Sequence, residues 1–149
     1  MRHTYRISRS LLLIALPALV LACGGSDEPS SSPFAGGYAA TTFRTTGTSG
    51  QQDQLVIGST LQINLAENGT TSGHLHTAAY AGSPAFDGDM AGTWTASGNT
   101  VHFTQAADTF VRNMIFTVGT NANGVMILTG DQTFSGTRVE LTLTRATVP

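Results

Sequence analysis

The sequence predicts an all-β protein in which about eight antiparallel strands follow one another as a meander and close into a small barrel. Three observations indicate this fold class. Short segments alternate apolar and polar residues, turns containing glycine separate them, and only residues 106–111 suggest a turn of helix. Closing such a meander removes its exposed edges. A sandwich of two sheets is the alternative architecture, and the regular succession of hairpins favours the barrel.

The clearest hairpin is predicted at residues 60–77. Leu61, Ile63 and Leu65 alternate with polar residues, and Asn68-Gly69 then supplies a pair suited to a type I′ turn. The same reasoning predicts the remaining strands in four further segments, two of which are hairpins: residues 36–46, 89–105, 111–130 and 136–145.

The first 22 residues have the pattern of a secretory signal. Arg2, Arg6 and Arg9 precede an apolar run of twelve residues, which is shorter than the about 20 residues that a membrane-spanning helix needs. The run ends at Cys23, the only cysteine, so no disulfide can form within the chain. A polar stretch rich in Gly, Ser and Pro follows. We therefore predict a signal helix at 1–22, a flexible linker at 23–33 and a folded domain at 34–149.

The segment Val20-Leu21-Ala22-Cys23 resembles the lipobox of bacterial lipoproteins. The resemblance implies that diacylglycerol is attached to the Cys23 sulfur and that the signal is cleaved before this residue. Two or more fatty chains hold a protein on a membrane effectively permanently. Gly24, rather than Asp, follows the cysteine, which in lipoprotein sorting implies the outer membrane. The expected location is the bacterial cell envelope, with the membrane bound through the lipid on Cys23.

The charge of the chain excludes some partners. After cleavage before Cys23, nine acidic residues and four arginines remain, and the chain has no lysine, so its formal charge is −5. Because no basic patch is present, we expect no nucleic-acid partner. The sequence also contains no nucleophile motif and no phosphate-binding loop. We therefore expect a protein that is not an enzyme and has no cofactor.

The pattern from Gly36 to Arg145 resembles a compact lipocalin-like (calycin-type) domain of bacteria. In that family, Gly-x-Trp opens the first strand and a late arginine covers its aromatic ring at one end of the barrel. Gly36-Gly37-Tyr38 has tyrosine in place of the tryptophan, and Arg145 follows the last strand. The resemblance implies that Tyr38 and Arg145 close the barrel. We expect Arg145 to lie on the ring of Tyr38 or Trp94, and an exposed arginine is the alternative.

Three histidines are candidate metal ligands. His74 and His76 share one face of a predicted strand, and His102 has the same outward parity on a nearby strand. Zinc prefers four ligands, and no cysteine or acidic cluster adjoins the pair in sequence. Asp87, Asp89 and Asp108 are assigned to turns, where Asp commonly bonds to the local backbone. The sequence therefore predicts a solvent-exposed histidine pair and no metal site.

Residues 78–90 form the longest segment without a strand pattern, and they carry two aromatic residues. Such a loop would form a lid above a barrel mouth, or it would plug the barrel as part of the core. Small residues at Gly73 and Gly92 permit an internal cavity. We expect a small hydrophobic ligand or lipid to bind in the barrel through five aromatic side chains: Tyr80, Phe86, Trp94, Phe103 and Phe116. The alternative is a structural or protein-interaction lipoprotein, of the envelope-assembly or inhibitor type, with a filled barrel and an unidentified protein partner.

Overall fold

The computed structural model describes residues 32–146. Within this range, ten strand segments surround a filled interior, and one short helix, α1, interrupts their succession. The segments are β1 (Gly36–Gly47), β2 (Gly50–Asp53), β3 (Thr60–Leu65), β4 (Thr70–Thr77), β5 (Phe86–Asp89), β6 (Gly92–Ser97), β7 (Thr100–Gln105), α1 (Phe110–Asn113), β8 (Ile115–Thr120), β9 (Met126–Phe134) and β10 (Thr137–Arg145).

Alternation of apolar and polar residues produces most of these strands. In β3, Leu61, Ile63 and Leu65 are buried, whereas the residues between them are exposed. The same period of two buries every second residue of β7 and most of those in β10. The apolar side chains must therefore lie on one face, and that face becomes the inside of the barrel.

The sheet closes because β1 pairs with β3 on one side and with β10 on the other. All neighbouring strands are antiparallel, in the circular order β1, β3, β4, β6, β7, β8, β9, β10. The predicted fold class, an eight-stranded antiparallel meander closed into a barrel, is confirmed, and the two-sheet sandwich is wrong. β2 adds only a short hairpin to the end of β1.

β5 and β6 are two parts of one barrel strand. The pairs His74–Asp89 and Thr71–Gly92 keep the same register along β4, and the Met90 amide donates to the Gly73 carbonyl between them. Residues 78–90 were predicted to lack strand structure, which is wrong for Phe86–Asp89. The irregular connection is therefore confined to residues 78–85.

Large side chains fill the middle of the barrel. Phe103 and Phe116 are fully buried, with ring centroids 5.1 Å apart. Gly130 faces Met114, whose sulfur lies 2.2 Å from the position that a Cβ at Gly130 would occupy. Contacts this close leave no room for a deep ligand cavity in the middle of the barrel. The core is therefore continuous from strand to strand, with its largest fully buried side chains at Phe43, Phe103, Phe116, Leu61, Ile63, Leu65, Leu75, Met90, Met114, Leu128, Leu141 and Leu143.

Two local predictions need correction. Gly69 has φ +81° but Asn68 does not have a positive φ, and the Gly69 amide donates to the Ala66 carbonyl. The hairpin is therefore present but its turn is longer than the predicted type I′ turn. Gly73 is small because a Cβ there would lie 2.2 Å from the Gln62 carbonyl oxygen of the neighbouring strand. Its size reflects the close approach of two backbones.

The two ends of the barrel differ. The closed end is the end where β1 begins and β10 finishes, and it includes the turns after β3, β6 and β8. The mouth is the opposite end, formed by the connections after β1, β2, β4, β7 and β9. The first described residues enter the barrel at the closed end. The connections that carry the most irregular structure, residues 54–59, 78–85 and 106–114, all lie at the mouth.

Candidate functional site: the mouth cavity

A cavity of about 370 Å³ opens at the mouth of the barrel. Its floor is apolar and consists of Phe43, Phe110 and Val139, and the turns at the mouth form its rim. Phe43 and Val139 are inward-facing residues of β1 and β10, which are paired along most of their length. Alternation on two neighbouring strands therefore fixes this part of the floor.

Phe110 comes from α1 and completes the floor. After Gln105 the chain leaves β7, and the next residues cross the mouth before β8 begins. This path brings the Phe110 ring to 5.4 Å from the Phe43 ring and to 6.5 Å from the Phe134 ring, measured between centroids. Tilted aromatic pairs at these distances are favourable. The floor is therefore held by ring contacts that the sequence did not reveal.

A polar wall faces this floor, and it is organised by the buried side chain of Gln54. The Gln54 Nε2 atom donates to the Thr45 hydroxyl at 2.7 Å, and its Oε1 atom accepts from the Ser59 hydroxyl at 3.2 Å. Ser59 in turn accepts a hydrogen bond from the Ala78 amide at 2.9 Å. These bonds join β1, the 54–59 connection and the start of the 78–85 connection. The amide side chain is thereby fixed in one orientation.

A tight turn at Tyr80–Ser83 covers one side of the cavity. Tyr80 and Ser83 exchange two backbone hydrogen bonds, of 3.1 and 2.9 Å, and both residues line the cavity. Ala81 and Gly82 have φ values of +50° and +85°. Two positive φ values at the centre of a two-residue turn are typical of type I′. The turn therefore holds the Tyr80 ring, which is 37% exposed, at the edge of the cavity.

The five aromatic residues predicted to bind a ligand lie in different places. Tyr80 lines the mouth cavity, whereas Phe86 lies outside its walls and is 44% exposed. Phe103 and Phe116 lie in the packed middle of the barrel. Trp94 is buried near the closed end, where its Nε1 atom donates to the Ala66 carbonyl at 2.9 Å. The structure thus brings one predicted residue, Tyr80, together with Thr45, Gln54 and Phe110, which the sequence did not single out.

Tyr38 and Arg145 both lie at the closed end, as cross-strand partners of β1 and β10. The Tyr38 hydroxyl donates to the Phe34 carbonyl at 2.8 Å. Burial raises the pKa of Tyr38, and the nearby positive charge of Arg145 partly opposes this rise. The Arg145 guanidinium donates to the carbonyls of Pro33, at 3.1 Å, and Ala35. Its described contacts are hydrogen bonds to the segment that enters the barrel, rather than the stacked ring that we expected.

The histidine pair has acidic neighbours, Asp87 and Asp89, which lie on β5 and not in the turns that were expected for them. The pairing of β4 with β5 places Asp87 beside both imidazoles: its Oδ1 atom lies 2.9 Å from His74 Nε2 and 2.8 Å from His76 Nδ1. Asp89 Oδ1 lies 3.6 Å from His74 Nδ1. The hydrogen bond to Asp87 raises the pKa of His74, and the bonds from His76 and His74 lower the pKa of Asp87. Among residues 32–146, no group of three or more His, Cys, Asp or Glu residues has a geometry suited to a metal ion.

Comparison of the chain with protein-family models, with curated proteins and with solved structures finds no match. Within residues 32–146, no helix has the length and apolar character needed to cross a membrane. Cys23, the predicted lipidation site, lies outside the described residues. The fold and the cavity define a small closed antiparallel β-barrel with an open site at its mouth. A second cavity, of about 340 Å³, is lined by residues of β1, β3 and β4, among them Gly37, Gln62 and Gly73.

Proposed function

We propose that this protein is a lipid-anchored protein of the bacterial cell envelope that binds a small molecule in the mouth cavity. The observation that carries the proposal is the cavity itself, with an aromatic floor, a hydrogen-bonding wall and the Tyr80–Ser83 turn beside it. Its volume of about 370 Å³ falls within the ~300–1,000 Å³ that small-molecule sites occupy. The chemistry of the walls suits binding, and we assign it no catalytic step.

The lipocalin-like resemblance supports binding at one end of a barrel, but the filled interior restricts the ligand. Phe103, Phe116 and Leu141 are fully buried in the middle of the barrel. A long acyl chain would need that space. We therefore propose a ligand that fits within the mouth cavity and not a lipid that enters the middle of the barrel.

The anchor is proposed from the sequence alone, on the basic start, the apolar run and the position of Cys23. We expect a Cys23→Ser chain to leave the membrane fraction, and the wild-type chain to incorporate a radiolabelled fatty acid. A Cys23→Ser chain that is exported and remains membrane-bound would contradict the anchor.

Binding is tested with a matched pair of aromatic substitutions. Native mass spectrometry of the full chain, extracted in detergent from its own host, should detect a bound small molecule. Tyr80→Ala should reduce its occupancy, because the Tyr80 ring lines the cavity. Phe86→Ala is the control, since this substitution removes a similarly exposed ring that lies outside the cavity walls. Equal loss of occupancy in both variants, or no bound molecule in the wild type, would contradict the proposal.

A protein-interaction role is the second candidate, and the filled interior favours it. Val56, which is 80% exposed, and Ile115, which is 53% exposed, are the apolar side chains with which a partner would make contact. This role predicts that Val56→Ser and Ile115→Ser release a specific partner while Tyr80→Ala does not. The opposite pattern would favour small-molecule binding.

A further inference from the structure

We infer, on the basis of the proposed function, that the mouth cavity selects uncharged ring-containing molecules that carry a hydrogen-bond acceptor oxygen. The inference concerns the chemical class of the ligand. It depends on three features of the cavity: the absence of charge on the described lining residues, the aromatic floor and the donors available on the polar wall.

None of the described residues that line the cavity is an Asp, Glu, Arg or His. The two strands that supply the floor carry Arg44 and Arg138 near the mouth, and β10 ends with Arg145 at the closed end. Arg44 and Arg138 alternate with inward-facing residues and therefore lie on the outer surface of the barrel. Arg44 faces Asp53 at 4.0 Å, and Arg138 binds Asp131 at 2.6 Å and Glu140 at 2.8 Å. These surface charges are paired with one another and do not provide a counter-ion for a ligand inside the mouth.

A charged ligand would therefore lose water without gaining an opposite charge. Desolvating an unpaired ion costs much more than desolvating a neutral hydroxyl or carbonyl group. The mouth is open on one side, so a charged ligand would retain part of its hydration. We accordingly expect a preference of about tenfold for the neutral member of a matched ligand pair, equivalent to about 1.4 kcal/mol.

The floor favours a ring. The half-buried Phe110 ring lines the cavity and rests on the buried Phe43 ring, with centroids 5.4 Å apart, and Tyr80 adds a second accessible ring from the covering turn. Aromatic and alicyclic molecules can contact these faces over a large area without ordering many rotatable bonds. A flexible chain of the same volume would lose more conformational entropy on binding.

The wall favours an acceptor oxygen. The Thr45 hydroxyl accepts the hydrogen bond from Gln54, so its own proton remains available for another acceptor. Gln54 Nε2 carries two hydrogens, of which one is used in this bond. Both groups line the cavity. A ligand hydroxyl or carbonyl oxygen can therefore be bound by donors that Ser59 already holds in place through Gln54.

The test uses three probes with the same ring and different charge: benzyl alcohol, benzoate and benzylammonium. Dissociation constants for the full chain in detergent, measured by ligand-observed NMR, should be lowest for benzyl alcohol by about tenfold. Thr137→Arg adds a positive charge at the mouth, and this variant should bind benzoate better than the wild type does. Ser97→Arg is the matched control, because it adds the same charge at the exposed last residue of β6, at the closed end.

The outcomes separate the inference from the function on which it rests. Benzoate or benzylammonium binding as tightly as benzyl alcohol would overturn the neutral-ligand inference and leave small-molecule binding intact. Equal gains in benzoate affinity for Thr137→Arg and Ser97→Arg would also overturn it, since general charge attraction would then explain the effect. Failure of all three probes, together with no bound molecule from the host, would remove both proposals.

Discussion

Asp87 and His74 form a cross-strand ion pair on the outer face of the barrel, with Oδ1 2.9 Å from Nε2. The same carboxylate oxygen accepts a hydrogen bond from His76 at 2.8 Å. Both interactions join β4 to β5, and β5 begins immediately after the connection that covers the mouth cavity. The pair therefore links the protonation of exposed side chains to the strand that follows the Tyr80–Ser83 turn.

Because of this pair, the stability of the barrel should fall both when the pH rises and when the pH falls. The pKa of His74 is raised above its ordinary value of 6.5, so its contribution is complete below that value and is lost as pH rises through the raised pKa. The pKa of Asp87 is lowered below 3.8, so its contribution is present above that value and is lost as pH falls through the lowered pKa. Stability from the pair is thus greatest in mildly acidic solution.

Urea unfolding across pH 4–9 will test this dependence. His74→Asn should flatten the decline on the alkaline side, and Asp87→Asn should flatten both sides. His102→Asn is the matched control, because His102 is exposed on β7 and pairs with Thr95 and Ile115, away from Asp87. An alkaline decline that survives in His74→Asn would show that other groups cause it.

Arg145 should contribute to stability through the closed end. Its guanidinium donates to the carbonyls of Pro33 and Ala35, and Arg145→Met keeps much of the aliphatic stem while removing both donors. Hydrogen bonds from a charged donor that is partly exposed suggest a loss of about 1–2 kcal/mol in the free energy of unfolding. Arg112→Met is the control, since Arg112 binds Asp108 at the surface and its loss should cost less than about 1 kcal/mol. Equal losses of unfolding free energy in the two variants would show that the hydrogen bonds of Arg145 do not stabilise the closed end.

The Tyr80–Ser83 turn should be stabilised by a better turn residue. Ala81 has φ +50°, a left-handed conformation that alanine adopts at a cost and that asparagine tolerates. Ala81→Asn should therefore raise the urea midpoint, with a gain of about 0.5–1 kcal/mol and an unchanged m-value. Gly82→Ala places a Cβ at φ +85° in the same turn and should lower stability. A loss of stability in Ala81→Asn would contradict the type I′ assignment.

The sequence predicts a residue's position well where local strand geometry determines it, and poorly where contacts with other parts of the chain determine it. Leu61, Ile63 and Leu65 occupy one face of β3 because strand geometry alone determines it, and the prediction was confirmed. Phe86–Asp89 has no such alternation of apolar residues. It forms a strand because its neighbour β4 and the His–Asp bonds hold it there. A local sequence pattern does not show which other strand a segment pairs with.

The candidate site was harder to predict than the fold for the same reason. Tyr80 was recognised as an aromatic residue on an irregular connection. Phe110 and Gln54 became part of the cavity only through tertiary contacts, one with the Phe43 ring and the other with Thr45 and Ser59. A buried glutamine in a loop has no sequence signature that separates it from an exposed one. The filled middle of the barrel likewise follows from how opposing side chains interlock, as Met114 does against Gly130.

A last prediction concerns Thr109, which precedes α1 at the N-cap position. Its hydroxyl is buried, has no hydrogen-bond partner among the described residues and does not cap the helix. Thr109→Val replaces this hydroxyl with a methyl group of similar size, so the barrel should gain about 1 kcal/mol in the free energy of unfolding. Thr109→Ser is the control, because it keeps the hydroxyl and removes a buried methyl group, and it should lose stability. If Thr109→Val were less stable than the wild type in urea unfolding, the buried hydroxyl would not be a net cost to the barrel.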